Sequence, residues 1–173
     1  MKKLTIEQEF DYPLEVLLRA REERYKHLDK FPELKNVTIV SEERNGDIMT
    51  TIRHISIADS MPAVIATLLP AGADTLVENS EFNVNNHLHT FRVIPGGNLE
   101  NIFVVNGVSR YYEIDAEKSA RNYEIEVTSK AFLVSMVVEN AIAELYHNNL
   151  EKDRKSILNF IKILQEEESG GGS

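Results

Sequence analysis

Cysteine and tryptophan are both absent from this sequence. Without cysteine there is no disulfide, no thiolate metal site and no thiol nucleophile, and a reducing, cytoplasmic setting is expected. Basic charge is scarce, with 19 lysines and arginines against 28 aspartates and glutamates and a formal net charge of -9. Phosphate backbones need a basic face, so nucleic acid is not an expected partner. No apolar run approaches the ~20 residues of a membrane-crossing helix. The opening Met1-Lys2-Lys3-Leu4-Thr5-Ile6-Glu7 returns to charge too soon for a secretory signal. The short motifs of common enzyme classes, G-x-S-x-G, H-E-x-x-H, the P-loop and G-x-G-x-x-G, are missing as well. No cofactor and no metal site is expected.

What is present reads as one globular unit over residues 1–168, because 42% of the residues are hydrophobic and 27% charged. The tail from Ser169 to Ser173 has the composition of a flexible linker. Leu4, Ile6 and Phe10 alternate with polar residues, the period of a half-buried strand. After Pro13, Leu14, Leu17, Leu18, Arg21 and Tyr25 recur at helical spacing and predict a first helix to about Leu28. Residues 37–44 and 47–57 flank Asn45-Gly46, a hairpin signal because this pair accepts the positive φ of a tight turn. Strands are further expected over 75–84, 87–94, 102–114 and 120–129, with Gly107 marking a bulge in the longest. Their short separators predict consecutive antiparallel neighbours. From Lys130 to Gln165 neither glycine nor proline occurs, and one long helix is predicted. Its first half is apolar on nearly every side and is expected to be covered all round.

Between the third and fourth strands lies Ser60-Met-Pro-Ala-Val-Ile-Ala-Thr-Leu-Leu-Pro-Ala-Gly-Ala73, a stretch without a single charge. Ser60 is a suitable N-cap, Pro62 suits a first turn, and Pro70 with Gly72 stops the helix. Met61, Val64, Ile65, Leu68 and Leu69 form one stripe, whereas Ala63, Ala66 and Thr67 leave the other face uncharged. The stripe suits a lid over an apolar ligand, with transient membrane contact through residues 60–73. It equally suits a core helix that caps one end of the sheet.

The predicted order is strand, helix, two strands, apolar insert, four strands and long helix, an α+β arrangement. A curved antiparallel sheet of seven strands must bury one face, and only the last helix is long enough to cover it. The space between them is a natural cavity. Arg53, Arg92 and Arg110 sit in strand runs and must either face water or meet an anion. Asn149, Lys152 and Ser156 share a helix face. His87 and His89 lie two apart beside a turn and are expected to face water, while His54 and His147 are candidates for a cavity wall.

This layout, with the strand-to-helix junction Phe10-Asp-Tyr-Pro-Leu-Glu-Val-Leu17, resembles the START/Bet v 1-like (SRPBCC) helix-grip superfamily. Within it the arrangement is most similar to PRELI-like lipid-transfer proteins. Three stretches carry that likeness: Asp47 to Arg53, Met61 to Leu69, and Asn149-Leu-Glu-Lys152-Asp-Arg154. Asp153 stands where those proteins have a small residue, and their tryptophans are missing. The resemblance implies a helix-grip fold, a short helical lid at Met61–Leu69, and Asn149 and Lys152 at a phospholipid headgroup.

The expected function is therefore non-enzymatic binding or transfer of a hydrophobic ligand, foremost a phospholipid. Arg53, Met61, Ile65, Leu68, Leu69, Arg110, Asn149 and Lys152 are its candidate contacts, with no catalytic residue assigned. Two alternatives stay open. One is a small-molecule enzyme of the aromatase/cyclase type, using His54, Arg110, Tyr112 or Tyr123. The other is a protein-interaction module with a filled interior.

Overall fold

Alternation of apolar and polar residues sets most of the strands. Lys2–Phe10 (β1) places Ile6, Gln8 and Phe10 inward and Thr5, Glu7 and Glu9 outward. The structure, a computed structural model of the chain, describes residues 1–27 and 29–170, with Glu33 described by its backbone alone. Pro13 starts α1 (Leu14–Glu23), whose buried Leu17 and Ala20 lie three apart on one face. A single 3₁₀ turn, Arg24–Lys26, extends it. The expected end at Leu28 lies outside the described residues.

Six further strands follow: β2 (Val37–Asn45), β3 (Ile48–Ser56), β4 (Thr75–Asn83), β5 (Leu88–Pro95), β6 (Val104–Glu113) and β7 (Ser119–Thr128). They form one antiparallel seven-stranded sheet in the order β1-β7-β6-β5-β4-β3-β2. The meander is as the short separators predict, and the first strand joins it beside the last. Two local expectations are corrected. The hairpin turn is Gly46-Asp47, because Asn45 still pairs with Ile48, and Gly46 carries the positive φ of 62°. Gly107 marks no bulge, since it pairs in unbroken register with Phe91 and Ile125. The irregularity falls instead between Ile39 and Ser41 on the edge strand β2.

Helix α2 is short, Ala63–Leu68. Ser60 does not cap it: Pro62 holds the N-cap position and no side chain bonds the first turn. Helix α3, Ser135–Gly170, spans the concave face, so Ser169 and Gly170 belong to its last turn and not to a linker. Residues 171–173 lie outside the described residues. Inward residues of α3 separate two apolar clusters. One gathers Ile65, Val93, Phe103, Ile125, Val138 and Ile142, and the other Phe10, Leu17, Phe31, Ile157, Phe160 and Ile161. Full coverage of the helix's apolar first half is not found, since Phe132 and Leu133 just before it are each 86% exposed and Met136 and Val137 also face water. Among the described residues no helix is long and apolar enough to cross a membrane.

Candidate functional site

Between the two apolar clusters the interior turns polar. Inward positions of four strands and one turn of each covering helix contribute a belt of charged and polar groups: Arg21 and Arg24 after Pro13, Arg53 on β3, Glu78 on β4, the imidazole of His89 on β5, Arg121 on β7 and Asp153 on α3. Tyr25, Tyr111, Tyr123, Tyr146, Phe91 and Leu150 complete the wall of a cavity of about 130 Å³. The structure brings these side chains together because each sits on the buried parity of its strand. Arg121 shares its face with Tyr123, Ile125 and Val127, and His89 with Phe91 and Val93.

Asp153 is the hub of the belt. Arg121 Nη1 reaches its Oδ2 at 3.0 Å, and Arg24 Nη2 donates to its Oδ1. Arg24 Nη1 also donates to the Asp153 carbonyl at 3.4 Å. Burial works against the charged form of Asp153, but the guanidinium groups of Arg24 and Arg121 prevail and hold it below the usual carboxylate range. Arg121, 1% exposed, donates through Nε to Gln8 Oε1 at 2.8 Å, and Gln8 Nε2 donates to the Leu150 carbonyl at 3.2 Å. β1, β7 and α3 are thereby fastened by one polar relay. Arg53 Nη1 meets Glu78 Oε2 at 3.1 Å directly across β3 and β4. The ring of Tyr25 lies between Arg24 and Arg53, each guanidinium 5.2 Å from its centre.

His89 is buried, and neither ring nitrogen has a hydrogen-bond partner among the described residues. Burial, and then the positive charges of Arg21, Arg53 and Arg121, push its pKa well below the ordinary histidine value, so the ring is neutral. The expectation that it faces water is thus corrected: only His87, at the turn, is partly exposed. Burial pushes the Tyr123 hydroxyl up. Burial acts the same way on Tyr111, but Arg121 and Arg21 outweigh it and pull that hydroxyl below the ordinary tyrosine value.

Of the residues expected from sequence, Arg53 lines this cavity. Arg92 and Arg110 are exposed on the outer face of the sheet, on the opposite parity from Phe91 and Tyr111. Asn149 and Lys152 are exposed on α3, and only Ser156 of that trio is buried. Met61, Leu68 and Leu69 pack against the first apolar cluster and Ile65 is part of it, so the α2 stripe serves as core over one end of the sheet and does not line the cavity. His54 and His147 are exposed, and Tyr112 donates outside to Glu7 Oε1 at 2.8 Å. Tyr123 alone of the residues considered for chemistry is in the wall. A wider hollow of about 770 Å³ lies on the outer face among Asn79, Glu81, Arg92, Asn106, Glu124 and Glu126. It is bounded mostly by exposed side chains and lacks the buried charges of the inner one.

No protein-family model matches the chain, and no curated protein matches it. Solved structures do. The aromatase/cyclase Zhui from Streptomyces sp. R1128 superposes with a TM-score of 0.62 over 93% of each chain, at 12% identity. TTHA0849 from Thermus thermophilus gives 0.60 over 94% of this chain and 99% of the other, at 14% identity. Norcoclaurine synthase from Thalictrum flavum, in complex with dopamine and hydroxybenzaldehyde, gives 0.60 over 95% of this chain and 87% of the other, at 15% identity. With the curved sheet gripping α3, these likenesses show a helix-grip fold, the fold that the resemblance in the sequence implies.

Proposed function

We propose that the protein binds a small hydrophobic or amphiphilic molecule, without altering it chemically, between the curved sheet and α3. The cavity carries this reading. Four tyrosines and Phe91 offer flat apolar walls, and a few charged groups remain to orient a guest. A phospholipid is the finer form of the proposal, with Arg53 at the headgroup and residues 60–73 touching the bilayer. At about 130 Å³ the cavity is smaller than the ~300–1,000 Å³ of typical ligand pockets. Acyl chains would therefore enter only if Tyr146 and Leu150 moved outward with α3. Such an exchange is energetically even, because each CH₂ leaving a bilayer gives up about what a protein interior returns, ~0.8 kcal/mol.

Native mass spectrometry of gently purified protein tests this reading. A bound amphiphile that is released on denaturation is the expected result. Protein that carries nothing, and that takes up nothing from a lipid and metabolite extract, would refute it.

A second reading is a small-molecule enzyme, and one observation favours it. Tyr111 and Tyr123 stand in the same wall as Arg121, so two phenol hydroxyls able to move a proton and a cation able to polarise a guest are gathered in one cavity. An aromatase/cyclase and a norcoclaurine synthase share the fold. An aromatic product in the same mass spectrum, lost in Tyr123→Phe, would favour chemistry over carriage.

A further inference from the structure

The cavity is unbalanced in charge. Four guanidinium groups, those of Arg21, Arg24, Arg53 and Arg121, line it against the two carboxylates of Glu78 and Asp153, leaving an excess of two positive charges. Both carboxylates are already engaged, Glu78 by Arg53 and Asp153 by Arg24 and Arg121. His89 contributes no negative charge. Donor capacity is left over as well: Arg24 Nε, Arg53 Nε, Arg121 Nη2 and the single N–H of the neutral His89 ring are buried without partners among the described residues. A buried donor without an acceptor loses its hydration for nothing, and an unpaired buried charge loses more. Both deficits have one complement, a group with several negatively charged oxygens.

We propose that the cavity is an oxyanion subsite and that its ligand carries a carboxylate or a phosphate held by Arg53, Arg24 and Arg121 beside His89. The volume suits such a group better than it suits hydrocarbon. The body of the ligand lies against Tyr25, Tyr123 and Tyr146, whose rings favour a flat or aromatic skeleton. Planar guanidinium forks match both oxyanions in two-point contacts, so one site accommodates either. This inference rests on the ligand-binding reading above, and goes further by naming the chemistry of the ligand.

The test compares phenyl phosphate, benzoate and the neutral benzamide by isothermal calorimetry and thermal unfolding of the full chain. The two anions are expected to bind and raise the unfolding midpoint, benzamide to bind at least tenfold more weakly, and Arg53→Gln to lose at least tenfold in anion affinity. Where Arg53→Gln does not fold, histidine ring signals of the wild-type protein decide: phenyl phosphate should raise the His89 pKa, since a nearby anion favours imidazolium. Vesicles containing phosphatidic acid or only phosphatidylcholine separate the sources. Selective extraction of phosphatidic acid assigns the oxyanion to a lipid headgroup, and binding of the soluble probes alone assigns it to a small metabolite. Equal binding of benzamide and benzoate, or equal extraction of both lipids, overturns the oxyanion subsite while leaving a ligand-binding protein. Failure of every probe, with an empty native mass spectrum, overturns both.

Discussion

The ring of Phe91 rests on Gly107, its partner across β5 and β6, so closely that a methyl group at position 107 would lie 2.0 Å from Phe91 Cζ. Glycine is required here by contact and not by backbone conformation. Gly107→Ala should force Phe91 out of place and destabilise the protein by about 1–3 kcal/mol, the usual range for overpacking. Urea unfolding of the single variants and of Gly107→Ala with Phe91→Leu checks this. The double variant should recover part of the loss, and strict additivity would show that the two residues do not collide.

Asp153→Asn should destabilise by about 3–5 kcal/mol, because Arg24 and Arg121 would keep their buried charges and lose their counter-ion. Asp153 remains 24% exposed, which places the expectation at the lower end of that range. The wild-type pair also leaves a signature in acid. Since Asp153 titrates below the ordinary carboxylate range when folded, its contribution is complete above the unfolded value of about 3.9 and is lost as pH falls through the folded one. Acid unfolding of wild type and Asp153→Asn should therefore converge at low pH.

His89 gives a separate slope at milder pH. The folded protein keeps this ring neutral, whereas an unfolded chain takes up the proton below about 6.5. Unfolded molecules thus bind more protons in that window, and stability declines as pH falls from about 6.5. His89→Leu, which keeps an apolar contact with Phe91, should flatten the decline between about pH 6.5 and 5 in denaturant midpoints. An unchanged slope would mean that another group is responsible.

Ile65 is fully buried in the first apolar cluster, so Ile65→Ala should cost about 2–5 kcal/mol. Leu68→Asp should also destabilise, because Leu68 is partly buried against the same cluster. Thermal unfolding separates this from a freely opening lid, for which both changes would leave the midpoint nearly unmoved.

Period-two alternation and turn chemistry suffice for most of the sheet, because its inner strands have one wet face and one dry one, whereas the exposed edge strand β2 is placed by its hairpin. The same alternation already contains part of the site. Arg53, Glu78, His89 and Arg121 each occupy the apolar parity of their strands, and of these Arg53 alone is expected in the site, because Glu78, His89 and Arg121 read as ordinary polar strand residues unless their parity is followed. On β6 the parity is ambiguous, since Val104 and Val108 lie on one face and Val105 and Tyr111 on the other, and Arg110 was therefore a natural but misplaced candidate. Arg24 and Asp153 are harder still. They come from a 3₁₀ turn and a helix that meet only through the tertiary fold, 129 residues apart. The α2 stripe marks a buried face equally well in a lid and in a core, and only the packing partners distinguish them.

The placement of β1 sets an order on folding. Strands β2 to β7 can zip together neighbour by neighbour, but β1 pairs with β7 alone, Lys2 opposite Val127 and Phe10 opposite Ser119. β1 precedes β7 by more than a hundred residues in the chain, so it must wait for the other strands before it finds its partner, and loop-closure entropy makes that long-range step a slow one. Until it docks, Gln8 cannot bridge Arg121 to α3, so the polar relay that ties sheet to helix closes only with the arrival of the first strand.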